Sequence, residues 1–128
     1  MLKILFIHND PKIIRIYEPH LLPHFSVDSA QNGLTALRKL RAAPPSLVLS
    51  DYHLPLLSGL SLLKFMRKNQ KLALTPFIFL TNHPNVSDGL SFGANDWLNQ
   101  AATHPDQVIE KIYHHLKLNP YGVQINRT

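Results

Sequence analysis

The chain contains no cysteine. That excludes disulfides, thiolate metal sites and a cysteine nucleophile, and it fits a reducing compartment. Long apolar runs are also missing. Nothing approaches the roughly 20 residues of a membrane-spanning helix. The opening stretch from Met1 to Ile7 is cut off by His8-Asn9-Asp10, too early for a signal peptide. No Gly-rich phosphate loop is present, and no Ser-His-Asp arrangement suggests nucleophilic catalysis. Acidic residues are scarce, 8 against 13 Lys plus Arg. The net charge of +5 favours anionic partners electrostatically but is no nucleic-acid signature by itself. A cytoplasmic protein without a membrane segment is the expectation.

What is present suffices for one folded domain. Apolar residues make up 45% of 128 residues, enough to build a core. Short β-rich runs alternate with helical patterns, the signature of βα units and a parallel sheet. Strands are expected at Lys3 to His8, Phe25 to Ala30, Leu47 to Ser50, Phe77 to Leu80 and Asp96 to Asn99. Three of these are nearly continuous apolar runs, as strands covered on both faces require.

Helices fill the gaps. Asp10-Pro11 supplies an N-cap and a first-turn proline, and Ile13, Ile14, Ile16 and Tyr17 an apolar stripe that Pro19 should kink or end. A second helix runs from Leu34 to Ala42 with Leu34, Leu37 and Leu40 inward. A third starts behind Ser58 and carries Leu60, Leu63, Phe65 and Met66; a short fourth lies near Val86 to Phe92. The fifth, Pro105 to Leu116, turns Val108, Ile109, Ile112 and Leu116 to one side. Residues 1–118 then form the domain, and 119–128 a tail or linker stub. Five such units give a flavodoxin-like doubly wound sheet of strand order 2-1-3-4-5, with its chemistry at the strand C-termini.

Asp51 stands at that edge. It ends the apolar run Ser46-Leu47-Val48-Leu49-Ser50, with Pro55 and Gly59 shaping the loop beyond. Leu47 to Gly59 resembles the phosphoacceptor strand and loop of bacterial response-regulator receiver domains. Ala30, Gly33, Ala36 and Leu37 resemble the family's second βα unit, Pro76 to Thr81 its fourth strand, and Gly93 to Leu98 the approach to its fifth. The resemblance covers residues 3 to 118. It implies that Asp51 occupies the phosphoacceptor position, Thr81 that of the hydroxyl switch, Trp97 that of the aromatic switch, and His53 that of the backbone carbonyl at the metal. It implies a histidine kinase or an output protein as partner, and a homodimer face on the fourth helix, fifth strand and fifth helix, here including Trp97, Lys111 and His114.

The departures from the family pattern are equally specific. Receivers usually place two acidic residues after the first strand; here stand His8 and Asn9, followed by Asp10. They usually place Lys-Pro after the fifth strand; here stand Gln100 and Ala101. Asn82, after the hydroxyl position, could crowd the acceptor. Phosphoryl transfer to a carboxylate needs positive charge between anionic oxygens. Asn9 offers a neutral oxygen, His8 a nitrogen that Mg²⁺ does not favour, and Gln100 no charge at all. Asp10 points elsewhere as an N-cap. Weak Mg²⁺ binding, or none, is therefore the expectation. Ala101 removes the X-Pro bond that makes a cis peptide affordable, so that loop should be trans. Asp51 would then be a polar residue bonded to Asn9, Thr81 or Gln100, holding the loops together.

Two other groupings stand out. His8, His53, His83 and His104 fall in loops of the same edge. A Zn²⁺ or Ni²⁺ site through His8, Asp51 and His53 is a minor option, and a protonated His8 beside Asp51 could imitate the missing cation. Arg38, Lys39, Arg41, Lys64, Arg67, Lys68 and Lys71 lie on or just after two neighbouring helices; a solvated face is the simpler reading, and docking to an acidic protein or nucleic acid the sharper one. No aromatic interleaving supports nucleic acid. The sequence as a whole points to an atypical, or pseudo-, receiver acting through protein–protein contacts and not as an enzyme. The alternatives are a slow but genuine phosphoacceptor at Asp51 and, with least support, a small hydrolytic or ligand-binding enzyme on the same fold.

Overall fold

The computed structural model describes residues 1–84 and 86–117. Ten elements alternate without exception: β1 (Lys3–Ile7), α1 (Pro11–Leu21), β2 (Ser26–Ala30), α2 (Gly33–Ala42), β3 (Leu47–Ser50), α3 (Gly59–Lys68), β4 (Phe77–Thr81), α4 (Val86–Ser91), β5 (Asp96–Asn99) and α5 (Pro105–His115). All strand pairs are parallel, in the order β2-β1-β3-β4-β5. This is the flavodoxin-like sheet expected from the alternation of patterns.

Side chains alternate across each strand, and the two faces build two cores. Ile4 and Phe6 face α1 and α5, packing on Ile14, Tyr17, Leu21, Val108 and Ile112. Leu5 and Ile7 face the other way, toward Ala36, Leu40, Leu62, Leu63 and Met66 on α2 and α3. Every residue of β3 and β4 is buried, which explains their unbroken apolar runs. Full burial of one such Leu or Phe stabilises the fold by roughly 1.5–3 kcal/mol.

Helix starts follow local chemistry. The side chains of Asp10, Asn32, Ser58 and His104 accept from backbone N–H groups of α1, α2, α3 and α5, filling donors that have no intrahelical partner. Pro19, expected to kink or end α1, does not end it. The helix runs through it to Leu21, because Pro19 forfeits one hydrogen bond in an exposed last turn while Tyr17 and Leu21 stay buried on either side. Ile16 and Leu34 were expected inward and lie 55% and 39% exposed. Ile14, Tyr17 and Leu21 carry the stripe of α1, and Ala36 with Leu40 that of α2. Strand boundaries differ from expectation by one residue at β1, β2 and β4. The proposed tail, 119–128, lies outside the described residues, as does Leu118.

Candidate functional site

The loops after β1, β3, β4 and β5 meet at one edge of the sheet. Asp51 is fixed there by its N–H, which donates to the Ile7 carbonyl of β1 at 2.9 Å. The loop behind it folds back tightly, with the Gly59 N–H on the Tyr52 carbonyl at 3.0 Å. A Cβ at Gly59 would lie 2.3 Å from the Asp51 carbonyl oxygen, so a side chain there would push the Asp51 backbone aside. Gly33 seats the far end of the same loop. Its N–H donates to the Pro55 carbonyl at 3.1 Å, and a Cβ there would fall 1.7 Å from the Leu57 oxygen. Between them Leu56 adopts φ 70°, a left-handed conformation uncommon outside glycine.

The donors that reach the Asp51 carboxylate are neutral. Its Oδ1 accepts from the Thr81 hydroxyl and, at 2.7 Å, from the Tyr52 N–H. Its Oδ2 faces the His8 ring, with Nε2 at 3.4 Å. That ring is buried, and both its nitrogens are committed. The Asp10 N–H donates to Nδ1 at 3.0 Å, which makes Nδ1 an acceptor and places the ring proton on Nε2. Nε2–H then donates to the Gln100 side-chain oxygen at 2.7 Å. A second ring proton would have to displace the Asp10 N–H. A protonated His8 supplying the missing cation would need that rearrangement; as placed, the ring aims its Nε2 proton at Gln100.

The other residues sort as follows. Asp51 bonds Thr81, as expected, but neither Asn9 nor Gln100. Asn9 is exposed beside the loop. Asp10 caps α1 through its Oδ1, which accepts from the Lys12 N–H at 2.9 Å. Asn82 does not crowd the acceptor, because its side-chain oxygen accepts from the Ala101 N–H at 3.0 Å and ties two loops together. The described residues contain no cis peptide, so the Gln100–Ala101 bond is trans.

Above Asp51 lies an open cleft of about 490 Å³, lined among others by His8, His53, Thr81, Asn82, His83 and Gln100. Asp51 and Asp10 are the carboxylates there, Asp10 using Oδ1 in the helix cap, and the other polar side chains are imidazoles, amides and the Thr81 hydroxyl. Among the described residues no three His, Asp or Glu side chains converge as metal ligands, so His53 does not join His8 and Asp51. His104 is committed to α5, where it forms a capping box with Gln107. One wall was not anticipated. Tyr52 stacks on His83 at 4.2 Å and 15°, and His53 meets His83 edge-on at 4.5 Å. Sequence offers no signal for it, since the stack joins loops separated by two elements. Trp97 packs on Phe79 at 4.7 Å and against Gly89 of α4.

The family profile described as response regulator receiver domain matches residues 4–113. The chain belongs to the response-regulator receiver family. This receiver is 37% identical over 99 residues to the uncharacterized transcriptional regulatory protein YkoG of Bacillus subtilis, covering 74% of this chain and 42% of that one. It is 30% identical over 113 residues to the probable transcriptional regulator ycf29 of Porphyra purpurea, covering 85% and 54%. It spans about half the length of these curated relatives. Among solved structures, the receiver domain of the Francisella response regulator 1452 superimposes with a TM-score of 0.83 at 27% identity, covering 91% of this chain and 98% of that one. The chemotaxis response regulator CheY4 of Vibrio cholerae gives a TM-score of 0.83 at 24% identity, covering 90% and 98%. Receivers serve two-component signalling, meeting histidine kinases and output domains. No helix among the described residues is long and apolar enough to cross a membrane.

Elsewhere in the receiver, the cations of α2 and α3 do not form the single patch that the sequence allows. Lys39 pairs with Asp28 at 2.8 Å, and this contact outweighs burial to hold the Asp28 carboxyl below its usual range. Arg67 is spent on the carbonyls of Gly93 and Thr75 and on Asn95. Lys64 lies 4.1 Å over the Phe92 ring.

Proposed function

We propose that this chain is an atypical receiver, or pseudo-receiver, that signals through protein–protein contacts without conventional Mg²⁺-dependent phosphorylation of Asp51. One observation carries the reading: the buried His8–Gln100 hydrogen bond lies beside the acceptor carboxylate. Resemblance to the family would put a carboxylate and a lysine at those two positions. A neutral imidazole bonded to a neutral amide supplies neither a metal ligand set nor a cation for the transferred phosphoryl group. Losing such preorganised charge costs on the order of 10²–10³ in rate per contact. Incubation with acetyl phosphate and Mg²⁺, followed by intact mass, is expected to leave the mass unchanged. A stoichiometric phosphoryl adduct that disappears in Asp51→Ala overturns the proposal.

The slow phosphoacceptor remains the second reading, supported by the open cleft over a carboxylate whose side chain is 15% exposed. In either case the matched relatives, named as transcriptional regulators, support the role of a regulatory input module. Its partner would be a histidine kinase, an output domain or a second copy meeting the α4-β5-α5 face. There Val86, Leu90 and Phe92 are 40–47% exposed.

A further inference from the structure

Charge in this chain is divided by position. Residues 29 to 87 hold seven of the 13 cations and a single acid, Asp51, while the rest holds six cations against seven acids. The whole net positive charge thus belongs to the α2–α3 half. Three of its cations, Arg41, Lys68 and Lys71, surround one open cleft of about 410 Å³ between the C-terminal ends of α2 and α3. Among the described residues no carboxylate lines it, and none lines both it and the cleft over Asp51. Cations in the last turn of a helix complement its dipole, which accounts for Arg41 and Lys68 singly. It does not account for Lys71, beyond the helix, or for three cations gathered on one concavity. The amides of Asn69 and Gln70 on the rim add hydrogen-bonding groups without charge.

We propose that this cleft docks a carboxylate-rich segment of a partner protein, independently of the state of Asp51. Its volume lies in the range of organic ligand sites and exceeds what one oxyanion fills. Nucleic acid fits less well, because none of the described residues lining the cleft is aromatic, and the nearby Phe65 ring is covered by the Arg41 guanidinium at 5.3 Å. Rim cations spaced around an open concavity suit carboxylates distributed along an extended chain.

The test is fluorescence anisotropy with a labelled oligoglutamate peptide, at an ionic strength of about 0.01 M, where screening is weak. The wild-type chain is expected to bind. Lys68→Gln with Lys71→Gln should weaken binding about five-fold, and Arg41→Gln should weaken it as well. Lys12→Gln with Arg15→Gln removes equal charge from exposed positions on α1, across the sheet, and should change binding less than about two-fold. Thermal unfolding checks that each variant is folded. Absence of binding overturns the proposal, as does an equal loss in both charge-matched pairs. A single-stranded oligonucleotide bound as tightly, with the same losses, overturns the commitment to protein.

Discussion

His8 Nε2 stands 3.4 Å from Asp51 Oδ2, yet its proton is directed to Gln100 at 2.7 Å. A histidine beside a carboxylate suggests an ion pair. Here the Asp10 N–H occupies Nδ1, so the ring works as a neutral bridge between the loops after β1 and β5.

That bridge predicts both a tautomer and a stability cost. Nitrogen NMR of the histidine side chains should show His8 at neutral pH with its proton on Nε2 and Nδ1 as acceptor. His8→Ala leaves the Asp10 N–H without its acceptor and opens a void beside Phe6. It should lower the unfolding free energy by about 2 kcal/mol in urea titration. A proton on Nδ1, or an unchanged midpoint, contradicts the bridge.

Restoring charge should restore chemistry. His8→Asp, Asn9→Asp and Gln100→Lys together return two carboxylates and a cation to the cleft, while Asp51 and Thr81 are already positioned. The combined variant should gain Mg²⁺-dependent labelling from acetyl phosphate at least about 100-fold faster than the wild-type chain. Equal labelling of both would show that those three positions are not what limits Asp51.

The acceptor loop depends on two close approaches. Gly33→Ala puts a Cβ on the Leu57 carbonyl, and Gly59→Ala puts one on that of Asp51. Backbone, not a flexible side chain, stands in the way. Each should destabilise the fold by about 3 kcal/mol in urea or thermal unfolding, and Gly59→Ala should also shift the amide resonances of Asp51 and Tyr52.

The sheet was legible in the sequence because its physics is local. Apolar runs, caps at Asp10 and Ser58, and turns at Pro55 and Gly59 each act within a few residues. Errors arose where one element answers to another. Ile16 and Leu34 are apolar, but which face of a helix is covered depends on its neighbours. Pro19 breaks a local rule in a last turn held by the burial of Leu21. At the site, residue identities alone showed that the charge set was altered. The bond between His8 and Gln100 spans 92 positions, and the Tyr52–His83 stack joins separate loops, so neither has a signature in the chain.

The last prediction concerns acid stability. Asp96 accepts from His115 Nε2 at 2.8 Å and lies 3.9 Å from Lys111, joining the start of β5 to the end of α5. Burial alone would raise its carboxyl, but the His115 hydrogen bond, the Trp97 N–H and the Lys111 charge together hold it below the usual carboxylate range. A carboxylate depressed in the folded state binds its proton more weakly there than in the unfolded chain. Its stabilisation is therefore complete above the unfolded value of about 4 and is lost as pH falls through the folded value. Asp96→Asn should cost on the order of 1 kcal/mol at pH 7, where the charge-assisted bond is lost. Below about pH 4 the wild-type chain loses the same contribution, so the two stability curves should converge there. Urea midpoints across that range check this. Parallel curves would mean that Asp96 contributes by packing and not by its charge.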